Sequence, residues 1–193
     1  WTVEFINLKE YTTNYVSVKI LDNASNEVIY DDLFFILKDT TPAIIANGEA
    51  GGDDIWQGNE GETYDVNFYD YKSELDWVQY SVYPSTGQLG PPIKTWDDIA
   101  TGISTFSYIT DWTVDFDPLH QGTSNYVSVK AVDLAGNTST YTDAFYIKKD
   151  IALPSVLDYQ DGDIEWRKTN NGTYNVDFQD NDSLVASFQT KVY

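Results

Sequence analysis

The sequence has no cysteine, and His120 is the one histidine among its 193 residues. The absence of cysteine excludes a disulfide framework and thiolate metal sites. A Ser-His-Asp triad would depend on that single histidine, and a zinc site built from several histidines cannot form. No apolar run reaches the length of a membrane-spanning helix. We therefore expect no enzymatic activity and no membrane insertion in this segment.

Basic residues are scarce as well, since 11 Lys and Arg face 31 Asp and Glu and give a formal net charge of −20. Such a surface repels nucleic acid and anionic membranes and attracts cations. Acidic residues outnumber basic ones by 7 to 3 in residues 1–39, by 17 to 5 in 40–150 and by 7 to 3 in 151–193. This even spread indicates a solvated surface and not an acidic tail. We expect a folded protein without a nucleic-acid partner.

One stretch of the chain occurs twice. Residues 125–150 read NYVSVKAVDLAGNTSTYTDAFYIKKD, and residues 14–39 read NYVSVKILDNASNEVIYDDLFFILKD, 111 positions earlier. Alternating apolar residues predict a strand with one buried face. Gly136 and Asn137 favour a tight turn because both residue types tolerate a positive φ. Each copy is therefore predicted to form a β-hairpin.

The repeat extends over the whole chain. Residues 61–70 (GETYDVNFYD) match residues 171–180 (NGTYNVDFQD), so the period is about 111 residues, near the size of one β-sandwich domain. We expect the C-terminal part of one Ig-like repeat in 1–39, a complete repeat in 40–150 and the N-terminal part of a further repeat in 151–193.

Four tryptophans recur in register, because Trp1 matches Trp112 and Trp56 matches Trp166. Every copy of a repeat must pack in the same way. We therefore expect these four side chains in the cores of their units.

The strand pattern predicts an all-β fold. Turn residues separate the predicted strands, which lie at about 43–47, 54–57, 63–69, 75–83, 105–116, 125–133 and 141–148. Residues 84–104 are expected to be irregular, with a single helical turn at Thr95–Ala100. Short strands at regular spacing in about 110 residues indicate an antiparallel two-sheet sandwich.

Several stretches resemble bacterial Ig-like (Big-type) tandem repeats of secreted and cell-surface proteins. They are Val127–Asp133, the turn Asp133–Asn137 and the linkers Lys38–Pro42 and Lys149–Pro154. The resemblance implies tandem Ig-like antiparallel β-sandwiches and an extracellular or cell-surface location. Members of this family mostly form stalks, adhesins, surface-layer arrays or accessory domains of exported enzymes, and some bind calcium at domain junctions.

The implied Ig topology places the N-terminal linker, one inter-strand loop and the last hairpin turn at one end of a sandwich. Acidic and amide side chains are frequent in these segments, and oxygen ligands from several loops suit Ca²⁺. The candidate ligands are Asp39, Asp70, Glu74, Asp76, Asp133 and Asn137, with Asp150, Asp180 and Asp182 in the third block. Under the alternative interpretation, these residues cap turns and keep the surface soluble.

Two further tryptophans are candidate contacts for a ligand or a partner protein. Trp77 aligns with Ser187 and alternates out of phase with Val78, Tyr80 and Val82, so we expect Trp77 on the surface. Trp96 lies in the irregular segment and is expected to fold back over the sandwich as a lid. An exposed tryptophan can stack on a sugar ring or contact a protein.

Four Asn-x-Ser/Thr sequences are candidate glycosylation sites, at Asn23, Asn137, Asn171 and Asn181. Asn23 and Asn137 lie at the predicted hairpin turns, where a glycan has room.

The primary hypothesis for function is a structural one. The chain is interpreted as a repeat segment of an extracellular surface protein, a filament, stalk or surface-layer building block, in which sandwiches stack end to end. Its partners are then neighbouring repeats or copies of itself. One alternative is an adhesin or carbohydrate-binding module that uses the exposed tryptophans and binds a surface glycan or protein. Another is an accessory domain of a secreted enzyme.

A split-domain variant follows from the strand content of the terminal blocks. Residues 151–193 contain early strands of a repeat, and residues 1–39 contain late strands. One copy could therefore complete another by strand complementation. A window onto a longer chain explains the same arrangement.

Overall fold

The computed structural model describes residues 1–49, 52, 54–162, 164–169 and 172–193. These residues form strands and two short 3₁₀ turns, Phe5–Asn7 and Thr86–Gln88, and they contain no α-helix. Within the same ranges no helix has the length and apolar character needed to cross a bilayer. The prediction of an all-β fold is confirmed.

The described residues contain fourteen strands. In chain order they are β1 (Thr13–Leu21), β2 (Glu27–Leu37), β3 (Ile44–Asn47), β4 (Trp56–Gln57), β5 (Thr63–Tyr64), β6 (Val66–Tyr69), β7 (Leu75–Tyr83), β8 (Lys94–Thr105), β9 (Ser107–Tyr108), β10 (Trp112–Thr113), β11 (Ser124–Asp133), β12 (Thr138–Lys149), β13 (Ser155–Asp158) and β14 (Val176–Gln179).

Residues 40–150, here called the central unit, have a sandwich-like arrangement. Strands β4, β12, β11, β7 and β8 form a five-stranded sheet in that order. Strands β3, β6 and β9 form a second sheet, and β5 pairs with β10. Alternate residues of both sheets turn inward and build one core, which includes Val66, Phe68, Val127 and Val129.

The N-terminal segment (residues 1–39) and the C-terminal segment (residues 151–193) each contain a separate two-stranded antiparallel sheet. The first is formed by β1 and β2, and the second by β13 and β14. Many of their large apolar side chains are exposed, in contrast to those of the central unit.

The expectation that residues 84–104 are irregular is wrong from Lys94 onward, whereas residues 84–93 contain no strand. β8 occupies Lys94–Thr105 and pairs antiparallel with β7, so no helical turn forms at Thr95–Ala100. Three register shifts interrupt this pairing. Each irregularity changes which face the following residues present, and the apolar alternation that marks a strand in the sequence is lost.

The single strand predicted at 105–116 is also wrong in detail. The structure has two strands of two residues there, β9 and β10. β9 pairs with β6, whereas β10 pairs with β5 in another sheet. The chain therefore leaves one sheet and enters another within the segment, which a run of β-formers does not reveal.

The recurring tryptophans do not share one environment. Trp112 is buried and Trp56 is half-buried, whereas Trp1 and Trp166 are exposed. The prediction that all four lie in cores is therefore wrong for Trp1 and Trp166. The strand that covers Trp112, β5, has no counterpart packed on Trp1 within the described residues.

Candidate metal centre

Three carboxylates that are distant in the sequence meet where the N-terminal segment joins the central unit. Asp39 lies in the linker after β2, Asp70 follows β6, and Asp133 ends β11. One oxygen from each of the three lies within 4.8 Å of the other two. Asp70 and Asp133 are buried, and Asp39 is half-buried. These residues are called the Asp triad below.

Asp70 is held by the turn that it caps. Its Oδ1 accepts hydrogen bonds from the backbone N–H groups of Lys72, Ser73 and Glu74 at 2.9, 2.8 and 3.1 Å. Glu74 adopts a left-handed conformation with φ of 69°, which closes this turn before β7 begins. All three bonds use the same oxygen, so the turn fixes the carboxylate and leaves Oδ2 for another partner.

Asp133 is held by Asn137 across the β11–β12 turn. Its Oδ1 accepts the Asn137 backbone N–H at 2.8 Å, and its Oδ2 accepts the Asn137 side-chain amide at 2.9 Å. The same Asn137 amide donates to the backbone carbonyl of Asp39 at 3.2 Å. Asn137 therefore links the turn, the triad and the linker.

An unpaired oxygen of Asp39 is the strongest indication that the triad binds a cation or a hydrogen-bond donor. Its Oδ1 accepts the Thr41 backbone N–H at 2.9 Å. Its Oδ2 has almost no solvent-accessible surface and no hydrogen-bond partner. A buried carboxylate oxygen without a partner is unfavourable by a few kcal/mol unless a cation or donor compensates it.

The donor set fits a hard divalent cation. Three oxygens within 4.8 Å of one another have a common centre about 2.8 Å or less from each, near the Ca²⁺–oxygen distance of about 2.3–2.6 Å. No described Lys or Arg forms an ion pair with the triad. Ionised carboxylates at this separation repel by roughly 3–4 kcal/mol per pair at an effective dielectric constant of about 20. A bound cation offsets this repulsion by attracting all three carboxylates.

The other candidate ligands in this region lie outside the triad. Glu74 contributes its backbone carbonyl to a hydrogen bond from the Leu134 N–H at 2.9 Å, and its carboxylate is not part of the cluster. Asp76 lies within β7, a strand that leads away from the turn. The three triad members are therefore the ones that the folded backbone brings together.

The third-block candidates form a different arrangement at the opposite end of the central unit. The Gln121 side-chain amide donates to Asp150 Oδ1 at 2.7 Å and to Asp182 Oδ2 at 2.8 Å. Asp180 caps its own turn, accepting the Ser183 and Leu184 backbone N–H groups at 2.8 and 2.9 Å. Among the described residues, Asp150 and Asp180 do not belong to a cluster of three acidic side chains like the Asp triad.

Hydrogen bonding favours the ionised form of Asp150. A hydrogen bond from Ser183 lowers the pKa of the Asp150 carboxyl below its ordinary value; burial opposes this effect, and Gln121 and the Ala152 N–H assist it. The ionised form of Asp150 is thus stabilised by groups from both the central unit and the C-terminal segment. Sequence reasoning did not single out Gln121, because a lone glutamine in a turn carries no pattern.

Trp77 and Trp96 lie on the face of the five-stranded sheet that points away from the core. Both are half-buried. The Lys130 ammonium lies 3.9 Å from the centre of the Trp96 ring and 6.0 Å from that of Trp77. Trp96 is therefore part of the sheet and contacts a lysine, where the sequence suggested a lid.

The candidate glycosylation sites differ in accessibility. Asn23 and Asn181 are exposed. Asn137 is half-buried and uses its side-chain amide in the two hydrogen bonds described above. Asn171 lies outside the described residues.

The chain matches no protein-family model and no curated protein.

Proposed function

We propose that this chain is a structural repeat segment of an extracellular surface protein, serving as a filament, stalk or surface-layer building block. Its Ig-like units stack end to end, and Ca²⁺ bound by the Asp triad stiffens the junction between them. The role is mechanical and not catalytic. The observation that supports the proposal most is the meeting of the linker carboxylate of Asp39 with the buried carboxylates of Asp70 and Asp133.

The position of the triad explains how an ion would act. Asp39 belongs to the linker, whereas Asp70 and Asp133 belong to two loops of the central unit. A cation that binds all three ties the linker to the unit and limits bending at the junction. Calcium sites in extracellular modules bind at about 10⁻⁴–10⁻³ M, so such a site fills outside cells.

Contacts around the triad also favour an ordered junction. The Tyr11 hydroxyl hydrogen-bonds with the Thr41 hydroxyl. The Lys72 ammonium lies 4.8 Å from the centre of the Tyr11 ring. A cleft of about 690 Å³ remains between the N-terminal segment and the central unit. A cation bound by the triad adds to these contacts in holding the two parts together.

Distance measurements between spin labels test this function. The sequence has no cysteine, so the double variant Ile29→Cys/Thr101→Cys places one label on the N-terminal segment and one on the central unit. We expect Ca²⁺ to narrow the distance distribution. The added change Asp70→Asn removes that response while the turn cap at Oδ1 is kept. A distribution that is equally broad with and without Ca²⁺ contradicts the proposal.

A second candidate function is supported by the two half-buried tryptophans. Trp77, Lys130 and Trp96 form a continuous aromatic and cationic strip, which suits stacking on a sugar ring or contact with a protein. This adhesin or carbohydrate-binding role predicts a glycan-array signal that Trp96→Ala abolishes. No signal for the wild-type chain eliminates the sugar-binding form of this candidate.

A further inference from the structure

The Ser73 hydroxyl is a buried polar group that forms no hydrogen bond with the described residues. Ser73 lies between β6 and β7 in the turn that Asp70 caps, and its backbone N–H donates to Asp70 Oδ1 at 2.8 Å. Its Oγ has almost no solvent-accessible surface. Because a hydroxyl can donate one hydrogen bond and accept two, its burial without a partner is unfavourable. The Ser73 oxygen is therefore shielded from bulk water and free to bind another group.

A hydrogen bond between two turns holds Ser73 next to the triad. Glu74 is the next residue after Ser73, and its carbonyl accepts the Leu134 N–H at 2.9 Å. Leu134 in turn is the next residue after Asp133. This bond fastens the turn that presents Asp70 to the turn that presents Asp133, one residue away from Ser73.

An oxygen of Asp39 is unpaired in the same way on the other side of the junction. Ser73 and Asp39 both line the cleft between the N-terminal segment and the central unit. Asp39 Oδ2 is buried and has no hydrogen-bond partner among the described residues. A hydroxyl that touches a carboxylate oxygen forms a hydrogen bond, so these two oxygens are not in direct contact. One ion placed between them can bind both.

The repeated turn shows which way a serine at this position faces. Ser183 is the counterpart of Ser73, since each is the fourth residue of its turn, DNDS or DYKS. Asp150 is in the same way the counterpart of Asp39. The Ser183 backbone N–H donates to Asp150 Oδ2 at 3.1 Å, and the Ser183 side chain also hydrogen-bonds to this carboxylate. A serine in this turn thus faces the carboxylate of the preceding linker, which places Ser73 toward Asp39.

The charge of the triad favours a cation over a water molecule as the group between these oxygens. A water molecule would pair with both oxygens but would leave three repelling carboxylates in place. The lysine of the Asp70 turn, Lys72, has its ammonium 4.8 Å from the centre of the Tyr11 ring. None of the ion pairs formed by the described residues includes a triad carboxylate. A cation from solvent both offsets the repulsion and pairs with the two oxygens.

A hydroxyl suits this site because it adds a ligand without adding charge. The three ionised carboxylates already exceed the charge of a divalent cation, so a fourth carboxylate would add repulsion. A neutral oxygen adds none. Ca²⁺ binds about six to eight oxygens, and water fills the positions that the protein leaves open. A serine oxygen at one of these positions takes the place of one water molecule.

We propose that the Ser73 hydroxyl oxygen is a direct fourth protein ligand of the Ca²⁺ ion bound by Asp39, Asp70 and Asp133. This inference rests on the proposed function, because it concerns the same ion at the same junction. Asp70 and Ser73 bind the ion from a single turn of the central unit, and Asp39 binds it from the linker. The ion thereby fixes the position of that turn relative to the linker.

Calorimetric titration of CaCl₂ into the 193-residue chain measures what Ser73 adds to the affinity. Ser73→Ala removes the oxygen, and we expect the dissociation constant for Ca²⁺ to rise by about tenfold. Ser73→Thr keeps a hydroxyl at the same position and should bind Ca²⁺ as the wild-type chain does. Ser183→Ala is the matched control, because it removes the equivalent hydroxyl at the other junction and should leave the affinity unchanged.

The number of waters on the bound ion separates a direct ligand from a residue that only shapes the turn. Tb³⁺ is a hard cation that suits the same oxygen ligands, and the Tyr11 and Tyr71 rings in the cleft can sensitise its luminescence. Luminescence lifetimes in H₂O and D₂O give the number of bound waters. We expect about one more water on the ion in Ser73→Ala than in the wild-type chain, and no change in Ser183→Ala.

The spin-label pair at Ile29 and Thr101 measures the consequence for the junction. In Ser73→Ala, the Ca²⁺ concentration that narrows the distance distribution should rise by about tenfold, in line with the affinity. The distribution at saturating Ca²⁺ should match that of the wild-type chain, because the triad carboxylates remain. Narrowing at the wild-type Ca²⁺ concentration overturns the inference.

The outcomes distinguish this inference from the proposed function. If Ser73→Ala binds Ca²⁺ with wild-type affinity, or if its bound ion carries the wild-type number of waters, the inference is wrong and the triad remains the site. A wild-type chain that binds neither Ca²⁺ nor Tb³⁺ contradicts the proposed function as well. An affinity that falls in Ser73→Ala and recovers in Ser73→Thr, together with the added water in Ser73→Ala, supports Ser73 as a ligand.

Discussion

Asn137 and Asp39 lie 98 positions apart in the chain, and the Asn137 side-chain amide donates a hydrogen bond of 3.2 Å to the Asp39 carbonyl. The same amide holds Asp133, so a single side chain joins the linker to the turn that carries a triad carboxylate. The equivalent Asn26 donates to Asp22 at 2.8 Å and is confined to its own turn. Asn137 therefore stabilises both its own turn and the junction with the N-terminal segment, whereas Asn26 stabilises its own turn alone.

Replacement of Asn137 by alanine should loosen the junction. Asn137→Ala removes both side-chain hydrogen bonds, and we expect it to lower the free energy of unfolding by about 1–3 kcal/mol and to weaken the calcium response. Thermal unfolding with and without Ca²⁺ measures both effects. Asn26→Ala is the matched control, because it removes the turn bond alone and should leave the calcium response unchanged. Equal calcium responses in the two variants would contradict this role of Asn137.

Replacement of Asp39 by asparagine should have opposite effects with and without calcium. Asp39→Asn keeps the oxygen that accepts the Thr41 N–H and removes one charge from the triad. We expect the midpoint of thermal unfolding to rise by about 4 °C in chelator, because repulsion decreases, and to fall below the wild-type value in excess Ca²⁺. Asp158→Asn is the control, since Asp158 caps a similar turn away from the triad and is exposed. If Asp39→Asn shifts the midpoint of thermal unfolding in the same direction in chelator and in excess Ca²⁺, the triad is not a cation site.

The pKa of Asp150 gives a prediction about pH. It is lowered from the ordinary value of 3.8, chiefly by the hydrogen bond from Ser183. A lowered folded-state pKa stabilises the fold above the unfolded value, and this contribution is lost as pH falls through the folded pKa. The contact between Asp150 and the C-terminal segment should therefore persist at neutral pH and weaken below about pH 3.8.

Carboxyl ¹³C titration by NMR measures this shift. Gln121→Ala removes one donor to Asp150, and we expect the Asp150 pKa to move upward toward its ordinary value. Gln160→Ala removes an amide within the C-terminal segment and should leave the Asp150 pKa unchanged. An Asp150 pKa at or above 3.8 in the wild-type chain shows that these hydrogen bonds do not favour the ionised form.

The two hairpins could be predicted from the sequence because apolar residues alternate in the first strand of each, at Val127, Val129 and Ala131 and at their counterparts in β1. β8 could not, since three irregularities in its pairing with β7 break the alternation around Trp96. The association of Asp39, Asp70 and Asp133 could be anticipated because the resemblance implies a topology that places the linker, the loop after β6 and the β11–β12 turn at one end of a sandwich. The exclusion of Asp76 could not, because it depends on the residue at which β7 begins.

The exposure of Trp1 and Trp166 could not be predicted from the repeat either. The sequence shows that each position recurs but not whether the covering strands are present. Burial of a repeated residue depends on its neighbours in space, and these differ between the central unit and the terminal segments.

Calorimetric titration of Ca²⁺ into the protein tests most directly whether the triad is a cation site that joins the linker to the central unit. We expect one site per chain. Adding Asp70→Asn should abolish binding, whereas adding Asp180→Asn, which alters the equivalent turn cap away from the triad, should preserve it. If no heat of Ca²⁺ binding is measured at any of several temperatures, or if binding persists in Asp70→Asn, the triad does not bind calcium.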